Sequence, residues 1–234
     1  MKKSDNSSQP RAAFTLIELI VVIAIIGILA ALIFPIVGVV NRKKQISTAQ
    51  TQLKALEVAI DGYKTKLGYY PPDNPNNAVT NQLYFELLGT TNNGVNGKSP
   101  DVWGTLDGSA QIGLNTSPNI NAVFGVSGIA NSSTRAHSDD TGAAAGTFIN
   151  NLTPNQIGVL DPPNSPNVKL LVCSVSWPQE LTPAPIASNP ILNPFRYVSS
   201  HPTNNTGSYD LWVDLYIGGK TNRVCNWSTQ PIRL

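Results

Sequence analysis

The rhythm of apolar and polar positions changes three times along the chain. From Phe14 to Phe34, FTLIELIVVIAIIGILAALIF, nearly every side chain is apolar or small, and the polar exceptions are Thr15 and Glu18. A run of this length matches the roughly 20 residues with which a helix crosses a bilayer core, so residues 14–34 are predicted to be a transmembrane helix. Beyond Pro35 the pattern becomes amphipathic. Ile46, Ala49, Leu53, Leu56, Ile60, Tyr63 and Leu67 recur at alternating steps of three and four, which puts one apolar stripe on a helix. The stripe spans only about three heptads, short for a coiled-coil seam, so its expected partner is a sheet in the same chain. Gly68, with Tyr69, Tyr70, Pro71 and Pro72 behind it, supplies the helix stop. A continuous helix from Phe14 to Leu67 would be about 80 Å long at 1.5 Å per residue.

The third rhythm is one of short apolar islands in polar sequence. NQLYFELL, from Asn81 to Leu88, predicts a short helix. From Gly89 to about Asn167 the chain is rich in Asn, Gly, Ser and Thr, with apolar islands at Val102–Trp103, Ile120–Val126 and Thr147–Leu152. A structureless connection of that length is unusual in a compact domain, so an insert with its own short strands and turns is expected. Strands are then predicted at Val168–Trp177, at Phe195–Ser199, and at Tyr209–Ile217, where Tyr209, Leu211, Val213, Leu215 and Ile217 alternate with polar or amphipathic residues. Gly218-Gly219 turns that last strand into Asn222–Trp227. The expected fold is α+β: a long N-terminal transmembrane and amphipathic helix packed on a C-terminal antiparallel β-sheet, with a loop-rich insert. The expected divisions are a leader at 1–13, a membrane and polymerisation helix at 14–34, an amphipathic helix at 35–67 and an exported β domain at 68–234, its insert at about 89–167.

Composition supports this division. Only 13% of the 234 residues are charged, with 18 Gly and 18 Pro, which favours a loop-rich, strand-containing domain over a helical bundle. The length holds an anchor and one globular domain. Three of the 16 cations (Lys2, Lys3, Arg11) and one of the 14 carboxylates (Asp5) precede Phe14, so thirteen of each remain beyond it and cancel. No broad basic face for nucleic acid is expected.

The leader, Met1 to Ala13, is polar and basic. It is not an ordinary secretory signal, whose apolar core is about 7 to 15 residues long and ends in a small-x-small cleavage site; Leu29, Ala30 and Ala31 form no clean site of that kind. Glu18 is a carboxylate near one end of an apolar run. At a membrane centre such a charge costs about 2.5 to 3.5 kcal/mol on insertion scales, less near an end, and it calls for a partner or a function. One local partner is available, because Thr15-Leu-Ile-Glu18 is a capping-box pattern.

The segment RAAFTLIELIVVIAIIGILAALIFP resembles the N-terminus of type IV pilins and type II secretion pseudopilins, the prepilin family. The resemblance implies cleavage between Ala13 and Phe14, with Ala13 standing where Gly is usual, and N-methylation of Phe14 by the peptidase that cuts it. It gives Glu18 a second partner, the terminal amine of a neighbouring subunit, and pairing would offset the cost of burying each charge alone. It also implies that the helix loosens between Gly27 and Pro35 when subunits pack; from the residues alone, Pro35 predicts a kink where the apolar run ends. Arg42, Lys43 and Lys44 balance the leader's cations, so charge does not orient the span. The resemblance places the leader in the cytoplasm of a bacterium and the body outside the inner membrane.

KALEVAIDGYKTKLGYYPP, Asn193-Pro-Phe-Arg-Tyr197 and Tyr209-Asp-Leu-Trp212 are similar to motifs of major pseudopilins. Those proteins often carry a calcium loop, but here Gly218-Gly219-Lys220 replaces the Asp-Gly step, so no metal or cofactor is carried over. Asp210 and Asp214 are expected as solvated strand charges. The implied function is that of a structural subunit of a pilus-like filament, most favourably a type II secretion pseudopilin. Its implied partners are other copies or other pseudopilins, prepilin peptidase, an inner-membrane assembly platform with its ATPase, and the lipid bilayer. A minor or DNA-uptake pilin is the alternative, as is an anchored binding module built on Trp103, Trp177, Trp212 and Trp227, although tryptophans serve more often as core than as platform.

No enzyme is expected: the chain has no Gly-x-Ser-x-Gly elbow, phosphate loop, His-Glu-x-x-His or paired-Cys zinc spacing. His137 with Asp139 and Asp140 lies in a polar loop without the further ligands a metal needs, and His201 is expected to be exposed. Cys173 and Cys225 are either a disulfide, worth about 4 kcal/mol in an exported domain, or two buried thiols.

Overall fold

The computed structural model describes residues 15–93, 101–114, 119–134, 144–160 and 168–234, except for the side chains of residues 32–37. The chain divides into two compact units, Met1–Lys43 and Lys44–Leu234.

Helix α1, Leu16–Leu67, begins in the first unit and ends in the second. Its backbone is helical through Gly27 and Pro35; Pro35 has no N–H to give the preceding turn, yet it does not end the helix. In the first unit the apolar side chains stand in solvent all round, as at Ile17, Ile20, Ile23 and Ile26. Side chains of the predicted span are described from Thr15 to Ala31, short of the roughly 20 residues a crossing needs. Among the described residues no helix is long and apolar enough to cross a membrane.

In the second unit α1 buries one stripe. Ala49, Leu53, Leu56, Ala59, Ile60 and Tyr63 are buried, with Ile46 and Leu67 packed at the margin. The helix stops at Gly68, whose φ of 86° is left-handed and whose N–H donates to the Lys64 carbonyl at 2.8 Å, a glycine terminus that leaves no Cβ to clash.

The elements that follow are α2 (Leu83–Leu88), β1 (Thr90–Asn92), β2 (Val102–Thr105), β3 (Gln111–Gly113), α3 (Ile120–Phe124), β4 (Ser132–Thr134), a 3₁₀ turn (Pro154–Gln156), β5 (Ile157–Leu160), β6 (Val168–Leu171), β7 (Arg196–Val198), β8 (Asp210–Ile217), β9 (Lys220–Cys225) and β10 (Ile232–Arg233). They form three sheets, β3-β2-β1-β4, β5-β6 and β10-β9-β8-β7. The last is antiparallel throughout, whereas the first is mixed, because β1 and β4 run parallel. The architecture is thus α+β with an N-terminal helix and largely antiparallel sheets; the C-terminal sheet and the insert's own short strands are as expected, but β6 leaves the C-terminal sheet and pairs with β5.

The strand predicted over Val168–Trp177 is shorter. It ends at Leu171, and the continuation meets the segment before β7 through a Val172–Pro194 bridge and isolated bonds, among them Cys173 N–H to Asn193 O (2.8 Å), Trp177 N–H to Ile191 O (3.0 Å) and Asn193 Nδ2 to Val175 O (3.1 Å). Proline has no N–H for a ladder, and Pro190 and Pro194 both lie in that opposing segment. The β8–β9 hairpin follows its two-glycine signal, with Gly218 and Gly219 at φ of 61° and 78°, positive at both centres as a type I′ turn requires.

One core joins these parts. Leu211, Val213, Leu215, Phe195 and Tyr197 belong to the same buried cluster as the α1 stripe. Polar bonds fix α1 at its edges: Gln52 Nε2 donates to Ser174 Oγ at 2.7 Å, and the Ser174 N–H donates back to Gln52 Oε1 at 3.0 Å.

Candidate functional site

The residues singled out at the amino end come from one helical segment. The Thr15 N–H and Thr15 Oγ1 both donate to Glu18 Oε2 at 2.8 Å, and the Glu18 N–H donates to Thr15 Oγ1 at 3.4 Å. This is the reciprocal capping box, which satisfies donors that a helix start leaves open. The cap uses one carboxylate oxygen, and an ionised carboxylate has about four acceptor positions, so capping does not exhaust Glu18. Gly27 is exposed, and a Cβ built there would meet nothing within 4 Å. Nine residues make about two and a half turns, so Glu18 and Gly27 lie on opposite faces of α1. Ala13 and Phe14 lie outside the described residues, and so does the Pro35 side chain.

The carboxy-terminal motifs meet across β7 and β8, where Arg196 lies opposite Trp212 and Tyr197 opposite Leu211. Here the sequence expectation needs correcting, because Asp210 and Asp214 are buried and not solvated. Asp210 accepts from the N–H groups of Thr203 and Asn204, each at 2.9 Å, and of Asn205 at 2.8 Å. Burial pushes its carboxyl up, but these bonds and the Asn204 side chain outweigh that and hold it below the usual range. Asp214 sits opposite Arg223 on β9 and accepts from Arg223 Nε at 2.8 Å and Nη2 at 3.0 Å, with Arg196 Nη1 at 3.8 Å. The alternation of β8 correctly marks its core face. It could not show that a polar turn and two arginines cover the other one.

The four tryptophans build no open platform. Trp103 and Trp177 are buried, while Trp212 and Trp227 are half-buried and meet edge to face with centroids 5.7 Å apart. His201 is exposed; His137, Asp139 and Asp140 lie outside the described residues. Of the two readings of the cysteines the structure has the second, since Cys173 and Cys225 are free and buried. Each is held in its own surroundings: Cys173 Sγ accepts from the Val175 N–H at 3.4 Å, and Cys225 closes β9 opposite Trp212. Burial pushes the Cys173 thiol up to about 11 and raises that of Cys225, which keeps both protonated and unreactive at neutral pH. Among the described residues no group of three or more His, Cys, Asp or Glu side chains is placed to hold a metal ion.

Sequence reasoning missed a fully buried polar hub of the second unit, Glu86 on α2. It is fully buried and accepts from Tyr63 Oη at 2.9 Å, the Ala130 N–H at 2.8 Å and the Asn131 N–H at 2.8 Å. Asn131 Nδ2 returns a bond to the Glu86 carbonyl at 2.7 Å, and Asn131 also pairs with the Gly146 backbone. One carboxylate therefore ties α1, α2 and the insert together. Burial raises its carboxyl above the ordinary value against the pull of these bonds. The available signal was a lone charge in the otherwise apolar stretch LYFELL.

Among the described residues the unusual surface is the exposed apolar amino-terminal helix. Comparison with known proteins points the same way. Residues 9–34 match the family model of the prokaryotic N-terminal methylation motif. The chain is 41% identical over 61 residues to the type II secretion system core protein G of Pseudomonas aeruginosa, covering 26% of this chain and 43% of that protein. To the protein of the same name in Escherichia coli it is 38% identical over 69 residues, 30% of this chain and 48% of the relative. To the fimbrial protein EcpB of Eikenella corrodens it is 35% identical over 115 residues, 48% of this chain and 67% of the relative. The chain thus spans less than half the length of the two core protein G relatives it matches. No solved structure matches. An amino-terminal methylation motif on an apolar helix, followed by an α+β unit, defines the prepilin class. The chain belongs to the type IV prepilin-like family that includes the pseudopilins.

Proposed function

We propose that this protein is a structural subunit of a pilus-like filament, and specifically a type II secretion pseudopilin. The methylation motif over residues 9–34 carries the reading, in company with the likeness to core protein G. In this reading the apolar run 14–34 holds the precursor in the bacterial inner membrane with the second unit exported. Prepilin peptidase cuts between Ala13 and Phe14 and methylates the new terminus. The helix then exchanges lipid for neighbouring helices as an inner-membrane platform and its ATPase build the filament. Glu18, capped by Thr15 before assembly, takes the Phe14 amine of the next subunit and sets the register. Charge pairing of this kind offsets much of the cost of burying two ions. The Gly27–Pro35 stretch is where the helix yields during packing.

The test is the mature terminus. Native protein from wild-type cells begins at N-methylated Phe14 by intact-mass and peptide analysis; a terminus retaining Lys2 and Lys3 in cells with active prepilin peptidase overturns the reading. Glu18→Val should insert normally and assemble poorly.

The 67% coverage of EcpB favours a second reading within the same class, a subunit of a surface fibre. Deleting the gene separates the two, because a pseudopilin mutant loses export of secreted proteins and a fimbrial mutant loses a surface fibre.

A further inference from the structure

The first acidic residue after Glu18 in the chain is Glu57, so Arg42, Lys43 and Lys44 have no carboxylate within four residues on either side. The side chains of all three are exposed. Intrahelical pairing at steps of three or four, the usual way a helix neutralises such charges, is closed to them. Just before them, with Asn41 between, stand Val39 and Val40, each 54% exposed. An exposed apolar helix surface thus passes into an uncompensated cationic one.

The spacing gives this junction a location. Helix α1 is continuous from Leu16 past Arg42, and at 1.5 Å per residue it rises about 39 Å between those two positions. A bilayer measures about 30 Å across its hydrocarbon core and about 40 to 45 Å with its headgroups. With Leu16 at one edge of the hydrocarbon core, the Arg42 backbone falls about 9 Å past the opposite edge, at the outer rim of the headgroups, and its long side chain reaches back to phosphodiester oxygens, charged acceptors that the neighbouring helix residues do not supply.

We propose that Arg42, Lys43 and Lys44 form a binding belt for anionic phospholipid headgroups. The inference rests on the membrane-spanning reading above and adds to it a lipid class and a depth marker. Arg42 offers a planar fork to phosphate and the two lysines offer point charges. Once the leader is removed with Lys2, Lys3 and Arg11, this belt is the remaining cluster of cations flanking the apolar run. It therefore holds the subunit at a set depth, and its contacts must break when the helix leaves lipid for a filament.

The test uses the full chain in vesicles of phosphatidylcholine, alone or with an equal amount of phosphatidylglycerol. An alkaline carbonate wash comes first, followed by native mass spectrometry of the protein released in mild detergent. The wild type should retain phosphatidylglycerol in preference to phosphatidylcholine. That preference should fall by roughly a hundredfold in R42Q/K43Q/K44Q at low salt, survive in R42K, and weaken for the wild type at high salt as the charges are screened. A chain that carbonate strips from the vesicles overturns the spanning reading and this proposal together. A chain that stays in the bilayer, but whose lipid retention ignores the three substitutions, overturns this proposal alone. If in addition the triple variant fails to polymerise, the cations face a second copy of the chain instead.

Discussion

Helix α1 carries apolar side chains in two opposite ways. In the first unit Leu19, Ile23 and Ile26 are 57%, 58% and 59% exposed, and their neighbours point out in every direction; in the second, Leu53, Leu56 and Ile60 are 3%, 3% and 0% exposed on one face. A stripe at steps of three and four needs a partner on one side only, and the chain provides it. A helix apolar all round needs surroundings that are apolar on every side, such as lipid or other helices, and the described residues do not provide them. In the proposed reading the first stretch serves association, and the second packs into the fold.

The largest effect that sharpens this contrast is expected at Glu86. Glu86→Leu strands the Tyr63 hydroxyl and the Ala130 and Asn131 N–H groups, and each buried donor left without a partner costs about 1 to 3 kcal/mol. The second unit should lose about 4 kcal/mol in urea unfolding, with partial recovery when Tyr63→Phe is added. A loss below about 1 kcal/mol, the net worth of a single ordinary bond, would show that the carboxylate is not the tie described. Next comes a paired comparison. Ile60→Ala should cost about 3 kcal/mol, as large-to-small core changes do, whereas Ile23→Ala should leave the unfolding midpoint of the second unit unchanged and impair assembly. Equal destabilisation by both substitutions would break the contrast between the two stretches.

The smallest effect concerns acid. Because the folded-state value of Asp210 lies below its ordinary 3.8, its contribution is complete above that value and is lost as the pH falls through the lower folded one. The thermal midpoint of the wild type should therefore drop more steeply with acidification than that of Asp210→Asn, and identical acid limbs would refute the role of the 203–205 turn.

How much of this was legible follows from the range over which each signal acts. The α1 stripe, the Gly68 stop and the Gly218-Gly219 hairpin were readable because each depends on residues within a few positions of one another. So was the Thr15–Glu18 cap, three residues apart. The hub at Glu86 was not, since its donors lie 23, 44 and 45 positions away. The same holds for the parallel pairing of β1 with β4 across the insert. Asp210 and Asp214 were misread for a related reason: alternation reports which side of a strand is apolar and cannot say what later segments lay over the polar side.

By itself, then, the sequence determined the helix and its two kinds of apolar surface, the α+β class, and the prepilin-like terminus. These follow from period, length and local motif. Only the tertiary structure decided that β6 pairs with β5 and not with the C-terminal sheet, that Cys173 and Cys225 are free buried thiols, and that the carboxylates at positions 86, 210 and 214 are buried in the second unit. Burying a charge is tolerable only when specific partners converge on it, and in this chain those partners are brought together only by folding.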